Sequence, residues 1–175
     1  MIRAFDGKMP KIAKSALVSE AAHIIGDVEI GENSSVWPGA VIRGDFGKIT
    51  IGNNTAIEDN CVIHSGSPSS TIRDVIIGDE VHIGHGAVIN CSKIGNNVLI
   101  GVNATILHDV EIGNSCIIGA SCLVSQGMKI PDNSFVVGVP GKIKGQVSSQ
   151  QSFWIKEAPQ GYVKLVKRYK EQGGI

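Results

Sequence analysis

Three side chains near the middle of the chain could bind a single metal ion. His64 and His85 supply imidazole nitrogens, and Asn90 supplies an amide oxygen. These residues are not consecutive, so whether they can converge on one ion depends on the elements that carry them.

An internal repeat of six residues sets those elements. Isoleucine or valine recurs at every sixth position, and glycine often follows it. The four uninterrupted runs of this pattern are 18–42, 51–63, 77–89 and 94–136. A six-residue unit is too short to bury a core alone, so each unit must be one flat face of a solenoid. Three faces make one coil, and the repeat from Val18 to about Val139 predicts an all-β solenoid, a parallel β-helix of roughly seven coils.

Composition agrees with this architecture. The chain of 175 residues contains 25 isoleucines and 18 valines against 5 leucines, which favours strands over helices. Its 22 glycines indicate many tight bends. The formal net charge is zero, which gives no reason to expect nucleic acid or an anionic membrane as a partner. The first residues contain no apolar run typical of a signal peptide, so we expect a cytoplasmic protein.

The chain leaves the repeat near its C-terminal end. Val139-Pro140-Gly141 marks the exit, which divides the chain into a β-helix domain, 1–141, and a C-terminal segment, 142–175. Apolar residues at helical spacing after Pro159, which we expect to break the preceding segment, predict a helix from about Gln160 to Gln172. We expect this basic helix to pack back along the solenoid with a solvated outer face.

The repeat also places the candidate ligands. Ile42, Ile63 and Ile89 fall on one face of three successive coils, so the residues that follow them point outward in one column. These outward residues are Arg43, His64 and Asn90.

A second face carries the third candidate ligand. Ile57 and Ile83 share this face, so Glu58 projects outward and His85 lies near the corner. His64 and Asn90 lie in one column and could bind the same ion. His85 points from a different side of the convex prism. A metal bound by all three candidate ligands would therefore need His85 from a neighbouring subunit, and a three-sided prism makes a trimer the natural closed assembly.

Several segments together resemble the gamma-class carbonic anhydrase family. They cover nearly the whole chain and read VWPGAVIRGD at 36–45, IEDN at 57–60, VIH at 62–64, IGHG at 83–86, GVPGK at 138–142 and YV at 162–163. The resemblance implies a left-handed β-helix, a homotrimer, and a zinc or other divalent ion, such as Co, Ni or Fe, at each subunit interface. In that family three histidines hold the ion, and the substrates are CO2 and bicarbonate.

The resemblance also assigns roles to individual residues. Two of the metal-binding histidines fall on His64 and His85. The arginine and aspartate that pair across the subunit interface and order the site fall on Arg43 and Asp45. Glu58 falls where the family often has a glutamine near the metal-bound water.

The chain departs from the family pattern at three places. Asn90 stands where the third histidine belongs, and a neutral amide oxygen is a weaker ligand for Zn²⁺ than imidazole. Phe46 stands where the best-known active members carry an acidic residue. The loop from Ser65 to Asp74 lacks the acidic insertion that moves protons in those members.

Three functions are consistent with the sequence. The first is CO2 hydration by a metal-bound hydroxide, weakened or lost through Asn90. The second is acyl or acetyl transfer from coenzyme A, as in other hexapeptide-repeat proteins, although no long loop bears a histidine base. The third is a non-catalytic trimeric scaffold.

The remaining histidines and the cysteines have simpler interpretations. His108, two residues after Ile106 on the next coil, is a substitute candidate for the third ligand. We expect His82 and His23 to be surface residues. The four cysteines have spacings that fit no zinc finger or ribbon, so we expect them to be reduced residues of the core.

Overall fold

The chain forms a parallel β-solenoid of about seven turns followed by one helix. The computed structural model describes residues 1–67 and 73–173, so the middle of the loop expected over 65–74 lies outside the described residues. In chain order the strands are β1 (Ile2–Arg3), β2 (Lys11–Ile12), β3 (Leu17–Val18), β4 (His23–Ile30), β5 (Ser35–Val36), β6 (Val41–Ile51), β7 (Ala56–Ile57), β8 (Val62–His64), β9 (Val75–Ile77), β10 (His82–Ile83), β11 (Val88–Ile89), β12 (Lys93–Ile94), β13 (Leu99–Ile100), β14 (Thr105–Ile106), β15 (Glu111–Ile112), β16 (Ile117–Ile118), β17 (Leu123–Val124), β18 (Lys129–Ile130), β19 (Ser134–Val137) and β20 (Lys142–Gln146).

These strands stack into the three faces of a prism. One face is the eight-stranded sheet β20-β19-β16-β13-β10-β7-β5-β3. The other two faces belong to one twelve-stranded sheet, because the long strands β4 and β6 continue around a corner and pair on both faces. Among the strands that the structure describes, the pairings within the solenoid are parallel, and β20, at the end, runs antiparallel to its neighbour β19.

The stacking register confirms the columns expected from the repeat. Ile42 pairs with Ile63 in β6 and β8, and Ile63 pairs with Ile89 in β8 and β11. On the eight-stranded face Ile57 pairs with Ile83. The outward residues beside these isoleucines are therefore aligned from coil to coil.

The core is filled by two residues of each six-residue unit. The recurring isoleucine is fully buried in most units, and a small residue two positions before it is buried as well. Ala40, Cys61 and Ala87 are examples of this second position, where a larger side chain would overfill the corner. All four cysteines are buried thiols, which confirms their expected packing role. Burial raises the pKa of the Cys91 thiol to about 12, so this thiol stays protonated.

One corner of the prism is held by side-chain amides and carboxylates. At each level a side-chain oxygen accepts the backbone N–H of the residue in the coil before it, at 2.6–2.9 Å. The accepting residues are Asn53, Asp79, Asn96, Asn114 and Asp132. These bonds satisfy backbone donors that the turns would otherwise leave unpaired.

The C-terminal helix, α1, spans Ser149–Glu171 and is longer than predicted. It begins with a capping box in which Ser148 and Gln151 satisfy each other's backbone N–H groups. The expectation that Pro159 breaks this segment was wrong: it lies inside the helix, at a position buried against the solenoid. Among the described residues, no helix has the length and apolar character needed to cross a membrane.

The second half of α1 packs on the outside of the eight-stranded face. Val166 is buried against Leu17 and Trp37, and Tyr162 and Tyr169 border the same cluster. The Trp37 ring makes edge contacts with both tyrosine rings at centroid distances of 5.3 Å. This aromatic contact fixes the position of Tyr162 over the coils that carry the second set of candidate site residues.

Candidate functional site

The first group of candidate residues lies on the face formed by β6, β8 and β11. His64 pairs with Arg43 in the strand register, and its Nε2 donates to Asp45 Oδ1 at 2.8 Å. The other oxygen of Asp45 accepts a hydrogen bond from Arg43 Nη1. Asn90 reaches the same place, since its Nδ2 lies 3.5 Å from the backbone oxygen of His64. The column expected from the repeat therefore brings His64 and Asn90 side by side.

Asp45 is the charged centre of this group. Partial burial tends to raise the pKa of its carboxyl, but the hydrogen bonds and charges of His64 and Arg43 outweigh that effect, and the pKa lies below its ordinary value. Asp45 is therefore ionised at neutral pH and fixes one nitrogen of the His64 ring. Arg43 and Asp45 contact each other within one chain, and their pairing across a subunit interface stays a prediction.

Phe46 contributes an apolar wall to the same face. Its ring centre lies 5.6 Å from that of the His64 imidazole, and the two planes are tilted by 55°. The phenyl group has no proton to give or accept. The position that is acidic in active members of the family therefore supplies packing, rather than proton transfer, beside His64.

The second group lies at the end of the eight-stranded face, where β7 and β10 run into a corner. The His85 ring is half-exposed, with 51% of its side chain accessible. Its Nδ1 lies 2.8 Å from Asp59 Oδ2, and its Nε2 lies 3.1 Å from Glu58 Oε2. Both ring nitrogens thus face carboxylates from the coil below.

Glu58 was expected to project outward, and it does so into a covered position. Glu58 is only 5% exposed, because His82 of β10 and Tyr162 of helix α1 enclose it. Oε1 accepts a hydrogen bond from the Tyr162 hydroxyl and lies 3.0 Å from His82 Nε2, while Oε2 accepts a hydrogen bond from the backbone N–H of His85 at 2.8 Å. Burial alone would raise the pKa of Glu58, but the hydrogen bonds from His82 and Tyr162 prevail and lower it to about 2. Glu58 is therefore a buried, ionised acceptor.

Two members of this second group were missed or misplaced from the sequence. His82 was expected at the surface, but it is only 8% exposed, and this expectation was wrong. Tyr162 was placed in the apolar stripe of the predicted helix and in the family resemblance but was given no role, although its hydroxyl bonds Glu58. His23 is exposed as expected. His108 lies in the turn after β14, where its backbone oxygen accepts from Gly127.

The described part of the chain supplies two half-sites rather than one complete metal site. His64 and Asn90 lie together on one face, and His85 lies with Glu58 and Asp59 on another. Within residues 1–67 and 73–173, no group of three histidine, cysteine, aspartate or glutamate side chains is arranged to hold a metal ion.

The donor atoms themselves suit a divalent ion. Metal-binding histidines generally place one ring nitrogen on the metal and donate the other N–H to a carboxylate or carbonyl. His64 has such a partner in Asp45, and His85 has one in Asp59. An ion on Nε2 of His85 would replace its contact with Glu58. The third donor, the Asn90 amide oxygen, is compatible with a divalent ion but weaker than imidazole.

Comparison with known proteins identifies hexapeptide-repeat proteins, several of them named as carbonic anhydrases. A family model described as bacterial transferase hexapeptide (six repeats) matches residues 9–44 and 92–126. A protein named "Probable carbonic anhydrase" from Methanocaldococcus jannaschii is 51% identical over 154 residues, which cover 88% of this chain and 94% of that protein. The mitochondrial gamma carbonic anhydrase 2 of Arabidopsis thaliana is 32% identical over 95% of this chain, which spans 60% of the length of the plant protein.

A solved structure extends the likeness to three dimensions. The crystal structure of a hexapeptide transferase family protein from Anaplasma phagocytophilum matches with a TM-score of 0.89 and 30% identity, over 96% of this chain and 97% of that one. Similarity of this extent to the Methanocaldococcus protein, along nearly the whole of both sequences, fixes the family. The chain belongs to the gamma carbonic anhydrase family of hexapeptide-repeat proteins.

Proposed function

We propose that this protein catalyses the reversible hydration of CO2 at a divalent metal ion shared between two subunits of a homotrimer. The observation that carries the proposal is the pairing of each candidate imidazole with a carboxylate, His64 with Asp45 and His85 with Asp59. We assign His64 and Asn90 of one subunit and His85 of a neighbouring copy as the ligands.

Assembly is required because the prism is convex. The faces that carry His64 and His85 point away from each other, so one chain cannot close both on one ion. A neighbouring copy that turns its His85 face toward this His64 face completes the site. Three identical contacts of this kind close around a three-fold axis, and each contact generates one site.

A divalent ion bound there would supply the Lewis acidity that makes water a nucleophile near neutral pH. The protein's own residues prepare that position. Asp45 fixes the orientation of the His64 ring and is itself held by Arg43. Asp59 does the same for His85 through Nδ1. Because these carboxylates orient the rings, little side-chain freedom is lost when the ligands engage.

Glu58 is the residue that can act on the reacting water. Its Oε2 lies beside Nε2 of His85, and it is ionised at neutral pH. An ionised oxygen in this place can accept a hydrogen bond from water and orient it toward CO2. The same oxygen would accept the hydroxyl of bicarbonate in the reverse reaction.

Asn90 reduces the strength of the proposed site. An uncharged amide oxygen donates less electron density to Zn²⁺, Co²⁺ or Ni²⁺ than an imidazole does, so we expect weaker binding than by three histidines. Slow hydration, rather than none, is the outcome that two anchored imidazoles support.

The family model that is named for transferases does not cover the candidate site. The family model covers residues 9–44 and 92–126, and this match excludes Glu58, His64, His85 and Asn90. Its likeness is to the repeat that builds the prism, which is shared by proteins of several activities. Acyl transfer therefore enters as an outcome of the test, through binding of coenzyme A.

The test uses the purified protein and two single variants. We expect the wild type to sediment as a trimer, to retain a divalent metal measured by mass spectrometry, and to hydrate CO2. His85→Ala should lose the metal and the activity, whereas His23→Ala, which changes an exposed histidine elsewhere, should keep both. A monomer at micromolar concentration, or metal that His85→Ala retains in full, would contradict the shared site. Coenzyme A binding without metal would favour acyl transfer instead.

A further inference from the structure

The position of His82 is the feature that the proposed function does not explain. Its ring lies on the outside of β10, where it pairs in register with Ala56 of β7 and Leu99 of β13. Outward residues of the repeat are usually solvated, yet His82 is 8% exposed. The Tyr162 ring covers it, with ring centres 5.1 Å apart at an angle of 63°. A polar ring has thus been enclosed beneath helix α1.

Among the described residues, the nitrogens of the His82 ring have one polar partner, the carboxylate of Glu58. Nε2 of His82 lies 3.0 Å from Oε1 of Glu58, while Nδ1 is buried and hydrogen-bonds none of the described residues. Because the carboxylate accepts only, Nε2 carries the proton and donates it. The burial of an imidazole with one unpartnered nitrogen costs free energy, and the hydrogen bond to Glu58 is the one polar contact that offsets the cost.

The two oxygens of Glu58 are divided between two tasks. Oε1 is held from the side of the helix by His82 and by the Tyr162 hydroxyl. Oε2 faces the corner, where the backbone N–H and Nε2 of His85 lie. The donors on Oε1 therefore prevent the carboxylate from turning and keep Oε2 directed at His85.

We propose that His82 is a positioning residue, whose Nε2–H acts with the Tyr162 hydroxyl to hold the Glu58 carboxylate in the orientation that serves the reaction. This inference rests on the proposed function for its catalytic consequence, and on the contacts of Glu58 alone for its structural one. The contacts of the His82 ring that carry this role are those with Glu58 and Tyr162. This role of His82 explains why the carboxylate of Glu58 stands where the family often has a glutamine. The three hydrogen-bond donors around Glu58 require an acceptor at both side-chain positions.

The variants that test this role separate hydrogen bonding from packing. His82→Gln keeps an N–H donor near the position of Nε2, whereas His82→Leu keeps an apolar side chain beneath Tyr162 but donates nothing. The matched control is His23→Leu, because His23 also precedes a buried isoleucine, Ile24, and is exposed. Metal content is measured for every variant.

Two readouts are used. In CO2 hydration, we expect His82→Leu to lower kcat about tenfold with little change in KM, because a small misplacement of an orienting group acts on the rate. His82→Gln should recover most of this loss, and His23→Leu should match the wild type. In hydrogen exchange of the helix amides at 160–166, His82→Leu should exchange faster than His82→Gln, because the Glu58 acceptor for Tyr162 is less firmly held.

The opposite order decides against the proposal. If His82→Leu matches the wild type in hydrogen exchange and His82→Gln exchanges faster, the ring acts by packing and not by donation. Equal exchange in all variants overturns the proposal as well. If the wild type neither holds metal nor hydrates CO2, the proposed function fails, while the order of hydrogen exchange still decides the role of His82.

Discussion

Replacing Glu58 with glutamine tests the charge of the carboxylate at nearly constant size. Three donors reach the oxygens of Glu58: the Tyr162 hydroxyl and Nε2 of His82 on Oε1, and the backbone N–H of His85 on Oε2. Glutamine turns one of the two acceptor oxygens into an NH2 donor. In either orientation of the amide, that NH2 group meets a donor.

The cost of Glu58→Gln follows from which donor is left unpaired. If the NH2 faces His85, the backbone N–H cannot turn away. If it faces His82, the proton of that ring must move to Nδ1, which is buried without a partner. Either arrangement leaves one buried N–H unsatisfied, which costs about 1–3 kcal/mol. The same interactions lower the pKa of Glu58 from 4.5 to about 2, which corresponds to roughly 3 kcal/mol of stability at neutral pH. We therefore expect Glu58→Gln to reduce the free energy of unfolding by about 2–3 kcal/mol.

The pH dependence of this difference follows from the direction of the pKa shift. A carboxyl whose folded pKa is depressed contributes its full stability above the unfolded pKa and loses it as the pH falls toward the folded pKa. The contribution of Glu58 is thus complete above pH 4.5 and declines between 4.5 and about 2. The difference between wild type and Glu58→Gln should shrink to roughly half when the pH is lowered from about 7 to about 3.

The assay is urea unfolding of metal-free protein at fixed concentration, followed by the fluorescence of the two tryptophans, of which Trp37 contacts Tyr162 and Trp154 is exposed on the helix. Glu111→Gln is the control, because Glu111 is an exposed carboxylate paired with Lys129, and such pairs contribute about 0.5 kcal/mol or less. A Glu58→Gln variant as stable as the wild type at neutral pH, or a difference that grows on acidification, would refute the assignment of Glu58 as a buried ionised acceptor.

Two further predictions concern the metal ligand and the core. Asn90→His should tighten Zn²⁺ binding at least about tenfold in a competition with a chromophoric chelator, because imidazole replaces an amide while the column geometry is unchanged; equal affinity would remove Asn90 from the site. Ile77→Asp should prevent folding, since a carboxylate would be buried at a position 1% exposed, whereas Ile76→Asp, at a position 50% exposed, should change stability by about 0.5 kcal/mol or less. Circular dichroism of the two variants checks this pair, and equal tolerance would mean that the register of β9 is wrong.

Much of the solenoid could be predicted because its geometry is periodic. Once Ile42, Ile63 and Ile89 are assigned to one face, the outward neighbours must stack, and the register of β6, β8 and β11 agrees. The contact between Asn90 and His64 follows from the same assignment. Local spacing determines these contacts, since each strand pairs with the equivalent strand of the adjacent coil.

The beginning of the helix could not be predicted in the same way. Pro159 removes one backbone donor and usually ends a helix, so the predicted start lay beyond it. In the structure the capping box at Ser148 starts the helix earlier, and burial of the Pro159 ring on the solenoid offsets the lost hydrogen bond. That burial is a tertiary contact, and the local sequence around Pro159 does not predict it.

The contacts of Glu58 could not be predicted from the sequence, because they also depend on where the helix docks. Tyr162 and Glu58 are 104 residues apart, and no repeat relates the helix to the coils. His82 was misassigned because its position in the repeat is an outward one, and only the helix that covers β10 makes it buried. Where the fold is periodic, sequence spacing predicts contacts; where the helix crosses the repeat, its contacts depend on docking that the spacing does not encode.

The division of the candidate ligands between two faces has a consequence for catalysis. Each face anchors one imidazole with its own carboxylate, Asp45 for His64 and Asp59 for His85, so each half-site is ordered before assembly. The helix adds Tyr162 to the His85 half. In the proposed trimer, the residues that orient water would therefore come from one subunit, while two of the three ligands come from its neighbour, and activity would depend on protein concentration wherever the trimer dissociates.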